Sequence, residues 1–498
     1  MIRRPAAALL LVPMLVLGEG CARNPVTGKN EISLVSESQE ISMGKQAAQE
    51  VQTSIGFVDD PGLQAYVNGL GQKMAKASER PELPWEFHVV NDASVNAFAL
   101  PGGFIYITRG LLTYINDEAE LATVMGHEIG HVTNRHSVQQ ISKQQLFGLG
   151  LGLGSILSPT VAKYGQVAGA GLQVLFLKYS RDAENQADLA GFRYALNQNY
   201  DVREMASVFE TLDRVSASSG GGQLPEWLAT HPNPGNRIKN TEARLDTLHK
   251  DLGRALINRE QYLGHVQGLV FGEDPRQGYF EGNRFYHPAS RFQLTFPQGW
   301  QAQNTPSAVA AQSPQKDAIV QLGLAGNASP EQAASQFLSQ QGIQAGQGSR
   351  TSINGLPAAS SYFSAQTEQG TIQGLVVFVS YAGTTYGLMG YAPQGKFQGY
   401  DQAFQQTISS FGELRDPSKL NVRPARVELI KLPRDMTLSQ FNSQYPSTIP
   451  IEQLAIINEV EGGDSQLPKG RTVKRVTGGS AQLQQNTTTN QQPQQQGQ

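Results

Sequence analysis

One cysteine, Cys21, in 498 residues excludes an intrachain disulfide and leaves no thiol pair for redox chemistry. Charge of one sign is missing as well. Lys and Arg number 39 against 42 Asp and Glu, a formal net charge of −3, so there is no electrostatic case for a nucleic-acid partner. No apolar run is long enough to cross a bilayer, which takes about 20 residues. MIRRPAAALLLVPMLVLGEGC is too short and is broken by Pro13. LFGLGLGLGSILSPTVAKYGQVAGAGLQVLFLKY is divided by SPT at 158–160 into two shorter arms. That stretch reads as a helical hairpin beside the site discussed below, with glycines that permit close packing or lid movement, or as a plain buried helix pair.

What the first 21 residues do contain is a targeting pattern: Arg3 and Arg4, an apolar run from Ala6 to Leu17, then small residues before Cys21. The position of Cys21 predicts lipidation. Gly20 fits a bacterial lipobox, whereas Gly18 and Glu19 depart from it and Leu17 stands one place early, so simple cleavage to a soluble periplasmic protein is the alternative. Ala22, rather than an aspartate, resembles lipoproteins sent to the outer membrane, where several acyl chains give a stable anchor.

Histidine is scarce, eight in the chain, yet two stand four apart in GHEIGH, residues 126–131. The surrounding NDEAELATVMGHEIGHVTNRH repeats apolar residues at helical spacing, and Asn116 or Asp117 can cap its start. Four residues apart on a helix is one face, so His127 and His131 can converge on one metal with Glu128 alongside. That is the HExxH pattern of zinc peptidases. A solvated helix face is the bland alternative. The best third ligand is Glu184 in KYSRDAENQADLAGFRYAL, a helix-compatible run in which Asp188 follows one turn later. Asp188 can accept the spare ring N–H of a liganding histidine. Arg181, Asp182 and Glu184 as a solvated charge cluster is the competing reading. ATHPNPGNRI adds His231 on a Pro-rich loop, able to reach a metal or an oxyanion, with Arg237 just beyond it.

GHEIGHVTNRHS, SRDAENQAD, THPNPGNR, NAFALPGGFIYITRGLL and NPVTGKNEISLVSESQEISMG together resemble the HtpX-like and CAAX-prenyl-protease-like zinc endopeptidases, metallopeptidase family forty-eight, over roughly residues 22–265. More narrowly they resemble its exported lipoprotein branch in Gram-negative bacteria. The resemblance implies that His127, His131 and Glu184 hold one zinc ion and that Glu128 is the base. It implies that His231 approaches the metal or the reacting carbonyl and that Arg237 shapes the same cleft. Asn96, Ala97 and Phe98 then lie on an edge strand to which an extended substrate can add, and Gly102 and Gly103 would allow close backbone approach. The implied chemistry has Glu128 activating a zinc-bound water, taking its proton and delivering it to the leaving amine. His231 either shares the oxyanion with zinc or fills the open zinc position in a latent state.

After about residue 265 the periodicity changes. FQLTFPQGW, AIVQLGLAG, SSYFSAQT and QGLVVFVSYAGTTYGLMGYA read as strands; SPEQAASQFLSQQG and FQGYDQAFQQTISSFGEL read as helices. This α+β stretch resembles PsbP-like domains in overall pattern, carries no second reaction centre, and packs Trp300 and His287. DMTLSQFNSQYPSTIPIEQLAIINEVEGGDSQLPKGRTVKRV resembles a LysM module through Leu438, Leu454, Asn458, Leu467, Gly470 and Val473, which implies peptidoglycan binding; a ligand-free βααβ packing unit is the alternative. The Gln-rich end lacks apolar residues and reads as disordered.

The sequence therefore predicts a multidomain α+β protein. Its parts are a signal peptide at 1–21, a mainly helical gluzincin-type zinc-peptidase domain with a small edge sheet at 22–265, an α+β PsbP-like domain at 266–415, a LysM-like module at 416–476 and a disordered tail at 477–498. The expected activity is zinc-dependent endopeptidase action on unfolded or misassembled envelope proteins, from a periplasmic site anchored to the outer membrane. A chaperone or assembly factor, or a peptidoglycan-binding scaffold with a latent zinc site, is the alternative.

Overall fold

Side-chain caps mark where most helices of the first unit begin. Ser36 and Gln39 form a capping box at α1 (Glu37–Ser54). Asp60 caps α2 (Pro61–Ala75), whose first residue is a proline. Thr108 caps α3 (Arg109–Tyr114) and Asp117 caps α4 (Glu118–Thr133). After α5 (His136–Phe147), Ser180 caps α6 (Arg181–Asn197). The computed structural model describes residues 21–147, 178–218, 226–232, 234–305, 308–367 and 370–479. The expected leader before Cys21, the interior of the expected helical hairpin and the tail from Ser480 lie outside the described residues. So does the side chain of Cys21, the first residue of a short strand, β1 (Cys21–Arg23). Among the described residues no helix is long and apolar enough to cross a membrane.

β1 pairs with β2 (Asn30–Ile32), and the turn between them is tied to the end of α4. Asn24 accepts the N–H groups of Val26 and Thr27 and donates to the carbonyl of Asn134. Three further strands make a sheet in the order β3 (Glu86–Val90), β5 (Phe104–Thr108), β4 (Ala97–Leu100), with β3 parallel and β4 antiparallel to β5. β4 is thus an edge. α4 packs against it, and also against α6 and α7 (Glu204–Ser218). Every residue of α4 is buried, a difference from the one-faced helix its spacing predicts. Burial all round is tolerable where its acidic first turn is partnered: Glu118 accepts from Tyr66, Tyr200 and Asn258, and Glu120 from the N–H of Asn116. α8 (Glu226–Thr230), α9 (Pro234–Asp246) and α10 (Arg259–Val266) complete this unit.

The middle of the chain is a separate α+β body. Seven antiparallel strands run in the order Ile343–Ile353, Leu356–Thr367, Gly370–Tyr381, Thr384–Pro393, Ile319–Leu324, Ala308–Gln312, Gln301–Asn304. Alternate residues of one strand serve opposite faces. Leu375, Val377 and Val379 join Phe404 and Ile408 of the helix Phe397–Ser409, while Val376 and Phe378 join Ala333 and Ala334 of the helix Pro330–Leu338. A four-stranded sheet including Arg284–His287 and Phe292–Thr295 adjoins it. His287 stacks on Phe292 and Trp300 packs edge-on against Tyr400 and Phe404.

The last unit follows a strand–helix–helix–strand order: Ala425–Lys431, Leu438–Gln444, Ile451–Ile457, Thr472–Gly478. Its buried Leu438, Leu454, Leu467 and Val473 belong to the same core as Leu112, Ile129 and Tyr262 of the first unit. Segment 268–271 adds to the strand Ala425–Lys431 through Gly268 N–H to Val427 O and Phe271 N–H to Ala425 O. First and last units are therefore packed as one body although residues 267–424 separate them in sequence.

Candidate metal centre

Two helices carry the site, and small residues let them approach. A methyl group on Gly126 would lie 2.9 Å from Gly191 Cα, one on Gly130 2.9 Å from Ala187 O, and one on Gly191 2.7 Å from His127 N. The glycines of GHEIGH thus allow α6 to lie against α4, which sets Glu184 and Asp188 beside the histidines. His127 Nε2 and His131 Nε2 are 3.0 Å apart; Glu184 carboxylate oxygens stand 3.7 Å from the first and 3.6 Å from the second. His231, at the end of α8, places Nδ1 3.0 Å from Glu184 Oε1 and 3.3 Å from His127 Nε2. All four residues are buried, and their ligand atoms lie within 4.8 Å of one another.

That spacing fits a cation. Tetrahedral ligands about 2.0–2.1 Å from one zinc ion stand about 3.4 Å from each other. Without a cation, two imidazole lone pairs facing each other in a buried site would be unfavourable. Burial opposes charge on His231, but Glu184 and Glu128 outweigh it and hold the imidazole above its usual value. Burial pushes the Glu184 carboxyl up, but His231 and Arg237 outweigh it and hold it below its usual value. Burial, reinforced by His127, His136 and His231, keeps His131 well below the ordinary imidazole value.

His127 Nδ1 lies 2.9 Å from Asp188 Oδ1, so its N–H donates there and Nε2 keeps its lone pair. Arg237 grips the same carboxylate with Nε and Nη2. Its guanidinium lies over the rings of both Phe209 and Trp227, 4.2 and 4.3 Å from their centroids. Burial raises the Asp188 carboxyl, yet Arg237 and His127 more than reverse this and leave it ionised. Glu128 is buried with Oε1 unpaired, 3.8 Å from His231 Nε2.

Asn96, Ala97 and Phe98 sit at or on β4, which is joined to the helix before His231: Trp227 N–H donates to Val95 O at 3.4 Å. Gly102 and Gly103 have positive φ, +79° and +105°. The close approach Gly102 permits is made by α1, since a Cβ there would meet Ile41 Cα at 2.7 Å. Trp85 covers Gly103 in the same way.

Sequence reasoning missed three contributors. Trp227 stacks on His231 with ring centroids 4.9 Å apart and leaves Nε1 unpaired; its place four residues before His231 was the available signal. Tyr179 packs on His131 at 4.1 Å. His136 contacts His131 ring to ring at 3.0 Å, Nδ1 to Nδ1, and burial pushes it down to about 4, so it is neutral.

Residues 61–245 match the family model described as Peptidase family M48. Among curated proteins, the beta-barrel assembly-enhancing protease of Escherichia coli (strain K12) is 31% identical over 234 residues, covering 45% of this chain and 47% of that protein. The mitochondrial metalloendopeptidase OMA1 of Arabidopsis thaliana is 33% identical over 218 residues, 43% of this chain and 42% of that protein. The chain thus spans about half the length of the curated relatives it matches. Among solved structures, cyanobacterial PsbP from Synechocystis sp. PCC 6803 overlaps 26% of this chain and 91% of its own length, with 12% identity and a TM-score of 0.23.

Proposed function

We propose that this chain, whose residues 61–245 are a domain of peptidase family M48, is a zinc-dependent endopeptidase acting on unfolded or misassembled cell-envelope proteins. The observation that carries the reading is the convergence of His127, His131, Glu184 and His231 beside an unpaired Glu128. A zinc ion held there makes water a nucleophile at neutral pH and polarises the scissile carbonyl. Glu128 accepts the proton at its free oxygen and returns it to the leaving amine. Asp188 fixes the tautomer of His127, and Arg237 fixes Asp188. β4 is the strand to which substrate adds, and only extended chain can pair with an edge in that way. The likeness to the Escherichia coli beta-barrel assembly-enhancing protease supports envelope proteins as the substrate class.

The position of His231 favours a second, resting state. With Nδ1 beside Glu184 and His127, it would hold a bound zinc ion as a fourth ligand and so keep water and substrate from it. His231 leaves when substrate enters and then donates to the oxyanion. A His231→Ala chain is expected to cut casein several-fold faster if vacating the fourth position is the slower step; a rate reduced by more than about tenfold would assign His231 to transition-state stabilisation alone.

We extend the reading to the remaining parts. Cys21 is the lipid attachment site, holding the chain at the outer membrane, and the strand–helix–helix–strand unit at 425–478 is a LysM-like module for peptidoglycan. The α+β body between them has a PsbP-like pattern and serves substrate or partner binding. Casein degradation by the chain from Ala22, beside Glu128→Gln with matched zinc content, tests the core of the proposal. Loss of casein with the unaltered chain alone supports it. Equal cutting by both sinks it. Envelope function retained by Glu128→Gln would instead favour a chaperone or assembly factor.

A further inference from the structure

On a straight α-helix the residue five places after His131 points about 140° away from it, at 100° per residue. His136 nevertheless touches His131, because the chain turns a corner between them. α4 ends at Thr133, Asn134 is its C-cap, Arg135 adopts φ +57°, and α5 starts at His136. A left-handed arginine is a strained backbone conformation. Its side chain offsets that strain, donating from Nε to Glu40 Oε2 at 3.0 Å and from Nη2 to Val35 O at 2.8 Å. The corner is held in place, and it folds His136 back onto the metal-site histidine.

The hydrogen bonds then admit one assignment compatible with a metal. His131 must keep the Nε2 lone pair, so its proton is on Nδ1, 3.0 Å from His136 Nδ1. His136 Nδ1 is therefore the acceptor and its proton sits on Nε2, which donates to Gln186 Oε1 at 3.1 Å. We infer that His136 is a positioning residue for the metal centre: with Gln186 it fixes the Nδ1–H tautomer of His131, as Asp188 does for His127. The two liganding histidines thus rest on different supports, one anionic and one neutral. α6 supplies Glu184 as ligand, Gln186 for one support and Asp188 for the other, at alternate positions.

This inference rests on the metal-binding reading above. It is tested on the full chain from Ala22, stripped of metal, by zinc affinity in competition with a chromophoric chelator. Visible absorption of the cobalt(II)-loaded chain is recorded in parallel. His136→Leu removes the acceptor and is expected to raise the zinc Kd by about 10- to 100-fold, with a changed cobalt spectrum. His136→Asn places Oδ1 near the former Nδ1 and is expected to return the Kd to within a few-fold of the unaltered chain, as a purely space-filling role would not. Gln186→Leu, which leaves His136 in place but lets its tautomer invert, is expected to weaken zinc binding by an intermediate factor, and it serves as the test if His136→Leu does not fold. Unchanged affinity in His136→Leu, or Asn as weak as Leu, overturns the inference while leaving the metal site standing. Failure of the unaltered chain to bind zinc overturns both.

Discussion

At the residue scale, the site depends on which nitrogen of each imidazole carries the proton, and buried neighbours decide it. Asp188 has no exposed surface and bears two duties, accepting from His127 and pairing with Arg237. Asp188→Asn keeps an oxygen for His127 but removes the charge. Zinc affinity is expected to fall by about 10- to 100-fold, measured by chelator competition. Arg237 would lose its bidentate partner while still buried, which typically costs about 3–5 kcal/mol. Its contact with Glu184 at 3.4 Å and its contacts with the rings of Phe209 and Trp227 place the expected loss at the lower end. The four-residue step from His127 to His131 and the step from Glu184 to Asp188 were legible in the sequence, since each pair shares one helix face. His136 was not, because only the left-handed Arg135 brings it round.

At the element scale, the crossing of α4 and α6 is what assembles the ligands. Gly191→Ala tests it. Alanine favours a helix over glycine by about 0.8–1 kcal/mol, but its methyl group would lie 2.7 Å from His127 N, and overpacking of that kind costs about 1–3 kcal/mol. The clash wins. A lower urea midpoint and weaker zinc binding are expected together, because Glu184 and Asp188 move with α6. A variant as stable as the parent with unchanged zinc affinity would show that the crossing has slack. The strands of the middle body were read where β-branched and aromatic apolar residues gather, as at 373–392. Ile343–Ile353 was not read as a strand. Its residues QAGQGSRTS are exposed on both faces, so no period of two is written into them, and only pairing with Leu356–Thr367 makes them a strand.

At the scale of the whole molecule, a buried lysine joins the first unit to the last. Lys474, with no exposed surface, donates Nζ to Thr113 O at 2.9 Å and Ile115 O at 2.7 Å, at the junction between α3 and α4. Burial pushes it down to about 7. Arg259 reaches the same junction through Asn116, and Gln453 donates to Tyr114. Lys474→Met would fill the space and leave those carbonyls unpartnered, at a cost on the order of 2 kcal/mol. The expected readout is a lower urea midpoint for the first unit itself, followed by fluorescence of Trp85 and Trp227; an unchanged midpoint would show that the contact carries no stability. Deleting 422–498 would strip part of a shared core. A cell-wall role for the last unit is therefore better tested by substitutions on its exposed residues than by truncation.

The sequence by itself determined the chemistry on offer: HExxH, a carboxylate pair one turn apart, and the His231 and Arg237 segment. These are local facts of spacing, and a helix converts spacing into a shared face. The tertiary structure alone decided how those segments meet. Distances between α4, α6 and the end of α8 are set by the residues packed between them, and burial then fixes which side chains are charged. It also decided that residues 425–478 complete the core of the first unit. Apolar residues written at 112 and 454 carry no sign of each other along the chain, and their contact arises only when both leave water against the same surface.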